Sequence, residues 1–201
     1  MTTVSEFAST SACSTAGLRP LNEQILALLL PVVSADLVSC AEIVRLAGNS
    51  TIALLQPAAK TALRQAIVAR GHELRLIHGY RTVAQQMVLR QWFLDRQRCG
   101  IKSARNPGKS DHEKGTAIDI DDFEGWRPSL EGHGWRWAGP GDKGHFHFIG
   151  SSTTDRILTE SVRAFQRLWN QHNPQDRIDE DGVYGEVETG SRLQRSPIEG
   201  F

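Results

Sequence analysis

The sequence lacks the features that would assign it to several large classes of protein. Its 23 lysines and arginines are balanced by 23 aspartates and glutamates, so no basic excess favours nucleic acid or an anionic membrane surface as a partner. No apolar run approaches the roughly 20 residues that span a bilayer. The longest run, residues 25–33, contains Pro31, and no basic residue precedes Arg19, which is atypical of a cleavable signal peptide.

Cysteine is also scarce. Cys13, Cys40 and Cys99 include no C-x-x-C pair, which argues against a cysteine-ligated zinc site. We expect buried free thiols, with a single Cys40–Cys99 bridge as the alternative if the chain is exported. The hydrophobic content of 39% in 201 residues is enough for one soluble domain with a small appendage.

The order of apolar and polar residues predicts helices around a small sheet. Residues 1–18 are rich in Ser, Thr and Ala and are expected to fray. Helices are predicted at residues 20–47 with a break near Pro31, at 54–71, at 82–100 and again in the tail. Alternating patterns predict short strands at 73–80, 115–122 and 145–150.

A polar stretch at residues 151–155 has the composition of a linker. We therefore expect three parts: an N-terminal helical extension over residues 1–50, a central domain over 51–150 and a C-terminal module over 156–201.

Two stretches concentrate residues from which metal hydrolases are built. The segment SDHEKGTAID (110–119) offers His112 and Asp119. The segment DKGHFHF (142–148) offers His145 and His147, which point to one face of a strand and therefore compete for a single role. A catalytic zinc ion takes three protein ligands and keeps one open position. Asp142, three residues before His145, is a candidate for the base that such a site needs.

Three segments, in this order, resemble the zinc D-Ala-D-Ala peptidases, a family that includes VanX- and VanY-type enzymes and L-alanyl-D-glutamate endopeptidases. SDHEKGTAID matches the motif S-x-H-x-x-G-x-A-x-D. GYRTVAQQ (79–86) resembles S-G-Y-R-S-x-x-x-Q, and GDKGHF resembles (D/E)-x-x-H-(F/W). The resemblance covers roughly residues 50–150 and implies an α+β fold of the LAS type, in which helices flank a small antiparallel sheet.

The resemblance implies zinc as the cofactor and a role for each matching residue. His112, Asp119 and His145 would ligate the metal, and Asp142 would act as the general base. His147 is the alternative third ligand, because the penicillin-insensitive murein endopeptidases use the second histidine of H-x-H. We prefer His145, since it alone keeps the carboxylate three residues upstream and is followed by phenylalanine.

Other matching residues would complete the site. Arg81 would stabilise the oxyanion that develops on the scissile carbonyl, and Ser110 and Gln86 would support the site. Tyr80 is a further supporting residue, which either lines the cleft or, as we expect for most of the aromatic residues, packs in the core. His78 stands where the family usually has serine, which leaves its role open.

The tail resembles the peptidoglycan-binding repeat of small three-helix modules. Its matching features are V-x-A-F-Q, D-G-x-Y-G and T-x-x-R-L within residues 162–193. The resemblance implies an all-α module, but it does not indicate which residues would bind. A helical segment that only packs on the central domain is the alternative.

These observations predict a zinc peptidase that cuts an amide bond of peptidoglycan, as a D-Ala-D-Ala carboxypeptidase or an L-Ala-D-Glu type endopeptidase. The alternatives are a non-catalytic peptidoglycan-binding protein with a structural metal and a cell-wall amidase. We expect a monomer that acts outside the cytoplasm, in an extracellular or periplasmic location.

Overall fold

The computed structural model describes residues 1–11, 13–96 and 98–201 and combines helices with a central sheet. Within these ranges the α-helices are α1 (Val4–Thr10), α2 (Arg19–Val33), α3 (Pro57–Arg70), α4 (Val83–Leu94), α5 (Asp111–Lys114), α6 (Phe123–Glu131), α7 (Arg156–His172) and α8 (Ser191–Arg195). The strands are β1 (Val38–Ser39), β2 (Arg45–Leu46), β3 (Leu54–Leu55), β4 (Arg75–His78), β5 (Ala117–Ile120), β6 (Trp135–Trp137) and β7 (His145–Phe148). The predicted α+β class is confirmed.

The central sheet has the strand order β2-β4-β5-β7-β6 within the described ranges. Strands β4, β5, β7 and β6 pair antiparallel, as predicted, whereas the edge strand β2 pairs parallel to β4. This exception follows from the connection between β2 and β4, because it contains α3 and such a crossover returns the chain in the same direction. Strands β1 and β3 pair antiparallel outside this sheet.

The two faces of the central sheet differ in chemistry. Leu76, Ile118 and Phe146 are fully buried on one face and belong to a core that includes side chains of α3 and α6. Since side chains alternate along a strand, Asp119 and His145 point to the opposite face, where they pair directly across β5 and β7. The sheet therefore has one apolar face and one face that carries the candidate site.

The N-terminal segment is ordered by a helix cap and by burial, so the predicted fraying is wrong for residues 1–11 and 13–18, while residue 12 lies outside the described residues. Thr3 caps α1, its hydroxyl accepting from the backbone of Glu6 while the Glu6 side chain bonds back to Thr3. Val4 is fully buried, and its N–H donates to the carbonyl of Ser196 near the C-terminus. This T-x-x-E pattern is a capping box that the sequence already contained.

Several predicted helix boundaries differ from those of the structure. Helix α2 continues through Pro31, because Leu21, Ile25, Leu29 and Val33 form a buried stripe that stabilises it, but helix does not extend to residue 47. The helix predicted for 82–100 ends at Leu94, and a 3-10 turn follows at Arg98–Gly100. Residue 97 of that prediction lies outside the described residues. The other turns are 3-10 at Thr15–Leu18 and Ala41–Ile43 and π-helical at Glu186–Gly190.

A second apolar core is built from both ends of the chain. It contains Leu21 and Ile25 of α2, Val88 of α4, and Val162 and Phe165 of α7. The C-terminal helices thus share a core with α2 and α4, while the boundaries at residues 50, 150 and 156 and the three-helix module remain predictions. Across the described residues, no helix combines the length and the apolar character needed to cross a membrane.

A disulfide joins Cys13, after α1, to Cys99, after α4, and their Cα atoms lie 5.2 Å apart. The expectation of free thiols is therefore wrong for Cys13 and Cys99, and the alternative Cys40–Cys99 bridge is wrong as well. Cys40 is a buried free thiol, as expected, and its burial raises its pKa to about 12. Sequence spacing does not reveal which cysteines come within bridging distance, because that depends on how α1 packs on α4.

Candidate active site

Three potential metal ligands converge on the polar face of the sheet. His112 lies in α5, Asp119 on β5 and His145 on β7. Nδ1 of His145 is 2.8 Å from Oδ1 of Asp119 and 3.2 Å from Nε2 of His112. One ligand atom from each residue lies within 4.8 Å of the others, so a single cation can contact all three.

The geometry of SDHEKGTAID follows from two local signals. Ser110 caps α5, accepting from the backbone N–H of His112, and Glu113 completes a capping box. Gly115 ends the helix in the left-handed region at φ 75°, and an added Cβ there would lie 2.7 Å from a methyl of Leu37. The short helix and the glycine turn bring His112 back beside Asp119 on β5.

The ring orientation of His112 is fixed by a backbone carbonyl. Its Nδ1 lies 2.6 Å from the carbonyl oxygen of Gly79, and this nitrogen must donate because a carbonyl only accepts. Nε2 therefore carries the free lone pair toward Asp119 and His145, as a metal ligand requires. Burial lowers the pKa of His112 to about 4, which keeps the imidazole neutral.

Asp119 is held in its ionised form by the groups around it. Burial alone would raise its pKa, but the positive charge of Arg81 and the hydrogen bonds with His112 and His145 hold that pKa well below the usual range. Its Oδ2 accepts from Arg81 and lies 3.0 Å from Nδ1 of His78, while Oδ1 faces the two other candidate ligands.

His78 is a residue of this site whose role the sequence did not reveal. A register shift between Leu76 and His78 changes the pairing, so Leu76 faces Ile120 in the apolar core while His78 pairs with Asp119. Without this irregularity the alternation of β4 would turn both side chains to the same face. No local sequence signal marks such a shift.

His147 lies beside the three candidate ligands but is not one of them. It pairs with Ala117 on β5 and Arg136 on β6, and its ring centroid is 6.2 Å from that of His145. Burial lowers its pKa, against the negative charge of Asp111, and the positive charges of His145 and Arg136 add to this shift. The geometry therefore brings His145, rather than His147, to His112 and Asp119.

Asp142 lies in the exposed loop that leads into β7. Its carbonyl accepts from the N–H of His145, which closes a tight turn, and an added Cβ on Gly144 would lie 2.7 Å from the carbonyl oxygen of Ile120. Burial of the carboxyl and the negative charge of Asp119 raise the pKa of Asp142, against the opposing charges of His145 and Arg81. The carboxyl thus shares the electrostatic environment of the candidate ligands.

The three residues predicted to support the site act at different distances from it. Ser110 holds α5 through its cap. Gln86 is buried in α4 and donates to the carbonyl of Arg105, which fixes the loop that precedes Ser110. Tyr80 does not line a cleft, because it is 1% exposed and its hydroxyl donates to Ser161 of α7 at 3.0 Å.

The Tyr80–Ser161 bond gives a stability prediction. We expect Tyr80→Phe and Ser161→Ala each to lower the free energy of unfolding by about 1–2 kcal/mol, because each leaves a buried hydroxyl partner without its bond. The double variant should lose about 1 kcal/mol less than the sum of the two single losses. Urea denaturation of the four proteins measures this difference, and strict additivity would contradict the proposed coupling.

Glu113 is a second residue that the functional interpretation missed, although S-x-x-E marks its cap. It is fully buried, and its carboxylate accepts from the N–H groups of Gly108 at 2.8 Å and Ser110 at 3.1 Å. Burial raises the pKa of Glu113 to about 7, despite these hydrogen bonds. The residue stabilises the loop from which α5 and His112 begin.

The raised pKa of Glu113 gives a pH dependence of stability. A carboxyl with a higher pKa in the folded state loses its favourable contribution as the pH rises from the unfolded value, about 4.5, to the folded value, about 7. Metal-free wild type should therefore lose on the order of 3 kcal/mol of unfolding free energy between pH 4.5 and 8. Glu113→Gln should lack this loss and exposed Glu131→Gln should retain it, as measured by urea denaturation. Equal slopes in all three proteins would contradict the assignment.

Comparisons with known proteins find a family model that matches part of the chain. Residues 53–136 match the VanY model, described as D-alanyl-D-alanine carboxypeptidase, which confirms the predicted resemblance. The matched range includes Arg81, His112 and Asp119 but ends before Asp142 and His145. A solved structure of the LdcB LD-carboxypeptidase, reported to reveal the molecular basis of peptidoglycan recognition, is 21% identical, with a TM-score of 0.46, over 58% of this chain and 69% of that chain. None of the curated protein sequences matches the chain.

Proposed function

We propose that this chain, a relative of the VanY-type D-alanyl-D-alanine carboxypeptidases over residues 53–136, is a zinc-dependent peptidase that hydrolyses an amide bond in peptidoglycan stem peptides or cross-links. The observation that carries the proposal is the convergence of His112, Asp119 and His145, whose ligand atoms lie within 4.8 Å of one another. Two imidazoles and one carboxylate on rigid elements are a donor set for a catalytic metal rather than a chance surface cluster.

The donor chemistry fits zinc. Nε2 of His112 is left free by the bond from Nδ1 to Gly79, Asp119 is ionised, and three protein ligands leave a position open. When bound, zinc supplies a Lewis acid that lowers the pKa of water toward about 7 and polarises the scissile carbonyl. His78 and Arg81 both contact the carboxylate of Asp119 and hold it in place.

The remaining chemistry falls to Asp142 and Arg81. Asp142 accepts a proton from the attacking water at its carboxylate and passes it to the leaving amine. Arg81 donates to the carbonyl oxygen as negative charge develops there. One of its terminal nitrogens is engaged by Asp119, and within the described ranges the other makes no hydrogen bond, so the guanidinium retains a donor group for substrate.

The location and the partner follow from the substrate. Peptidoglycan lies outside the cytoplasm, and the Cys13–Cys99 bridge accords with an oxidising extracellular or periplasmic compartment. The C-terminal segment, as a peptidoglycan-binding module, would hold the monomeric enzyme at its polymeric substrate and raise the local substrate concentration.

Product analysis tests this function against its two rivals. Purified peptidoglycan is digested with the zinc-loaded protein, and the fragments are identified by mass spectrometry. We expect loss of a terminal D-alanine or cleavage within the stem peptide. Fragments separated between sugar and peptide would instead indicate an amidase, and binding to peptidoglycan without any new fragment would indicate a non-catalytic binding protein.

A further inference from the structure

The polar face of the sheet continues beyond the candidate ligands. From β5 across β7 to β6, Ala117, His147 and Arg136 form one row of directly paired residues. Side chains of directly paired residues lie on the same face, so this row stands beside the row of Asp119 and His145. Ala117 is fully buried, whereas His147 is half-buried and Arg136 is exposed.

The charges in this region are balanced except at Arg136. Arg81 is paired with Asp119, and Arg105 with Asp111 at 3.1 Å. Within the described ranges, neither the guanidinium of Arg136 nor the ring of His147 makes a hydrogen bond or an ion pair, and Arg136 is exposed. Two neighbouring donors without a protein acceptor are suited to an anionic group of a ligand.

We propose that Arg136 and His147 bind the carboxylate of the residue that is released on the leaving-group side of the scissile amide. This inference rests on the proposed function. Two residues along a strand span about 6.6–6.8 Å, and the rings of His145 and His147 are 6.2 Å apart. One extended peptide residue spans at most about 3.6 Å. A carboxylate one residue beyond the scissile bond therefore falls between the candidate metal ligands and the pair formed by Arg136 and His147.

Both bonds considered above would supply such a carboxylate. In a D-Ala-D-Ala terminus it is the C-terminal carboxylate of the leaving alanine. In an L-Ala-D-Glu bond, which the α-amine of glutamate forms, it is the free α-carboxylate of that glutamate, because its side-chain carboxyl continues the stem peptide. The shared chemistry is a carboxylate on the leaving residue, and amidating each one separately distinguishes the two sources.

The test compares carboxylate and carboxamide forms of two peptides, one ending in D-Ala-D-Ala and one containing the L-Ala-D-Glu bond. With zinc-loaded wild type, amidation of the peptide that is cleaved should lower kcat/KM about 10-fold or more. Arg136→Gln should lower kcat/KM for the carboxylate form by a similar factor and leave the carboxamide form nearly unchanged. His147→Asn should reduce the same preference without loss of bound zinc.

Arg96→Gln is the matched control, because Arg96 is an exposed arginine in the turn after α4, and it should retain the wild-type preference. If wild type cleaves both forms equally, or if Arg136→Gln keeps the preference, the subsite is refuted while the peptidase remains. If wild type cleaves neither peptide in either form and releases no peptide fragment from peptidoglycan, the proposed function fails and the subsite fails with it.

Discussion

Replacing His145 with alanine is expected to remove the bound zinc and to lower kcat/KM by about 1,000-fold or more. The loss of one of three ligands forfeits several kcal/mol of transition-state stabilisation that the metal supplies, and about 4 kcal/mol corresponds to that factor. The mutation also removes the imidazole that faces Asp119 Oδ1 at 2.8 Å and leaves the carboxylate with fewer partners. Zinc content, measured by mass spectrometry on the dialysed protein, and kcat/KM on the cleaved peptide give the two readouts.

His147→Ala is the matched control, since it removes a histidine from the same strand and the same face two residues away. We expect this variant to keep its zinc and to lose activity only on substrates with a carboxylate on the leaving residue. If His145→Ala retained zinc while His147→Ala lost it, the assignment of the third ligand would be reversed.

The sequence was most informative where a residue type and its local spacing determine the geometry together. The motif SDHEKGTAID predicts that His112 and Asp119 serve one site, and in the structure the Ser110 cap and the turn at Gly115 bring the two side chains together. Alternation in HFHF predicts that both histidines share one face, and the register of β7 confirms it. The order of the motifs predicted the family resemblance that the match over residues 53–136 confirms.

Contacts between distant segments could not be obtained in this way. The bond from His112 to Gly79 depends on how α5 packs beside the end of β4, and the contact of His78 with Asp119 depends on a register shift. The disulfide between Cys13 and Cys99 depends on the packing of α1 against α4. In each case the sequence contains the chemical groups, whereas their proximity is set by tertiary packing.

The role of the C-terminal helix illustrates the same limit. Val162, Phe165 and Leu168 are spaced as on one face of a helix, and all three are buried. The sequence did not indicate that Ser161, on the same helix, accepts the hydroxyl of Tyr80 next to Arg81. Through this contact the tail supports the segment that bears the proposed oxyanion donor, whether or not it also binds peptidoglycan.

Asp142→Asn is expected to lower kcat by about 100- to 10,000-fold, which is the usual contribution of a positioned general base. The amide cannot accept the proton of the attacking water, yet it keeps the size of the side chain. Because Asp142 is exposed and its carboxylate is not among the converging ligand atoms, zinc content and unfolding free energy should remain close to wild type. Asp142→Glu should restore part of the activity.

The pH profile separates this role from a merely structural one. A general base works only when it is deprotonated, so kcat/KM of the wild type should rise as the pH increases through the pKa of Asp142. Although Asp142 lies in an exposed loop, its carboxyl is half-buried, and this burial together with the charge of Asp119 raises that pKa, which moves the acidic limb to higher pH than an ordinary aspartate would give. Asp142→Asn should lack this limb in its residual activity. A variant that kept the limb, or that stayed within threefold of wild-type activity, would show that another group accepts the proton.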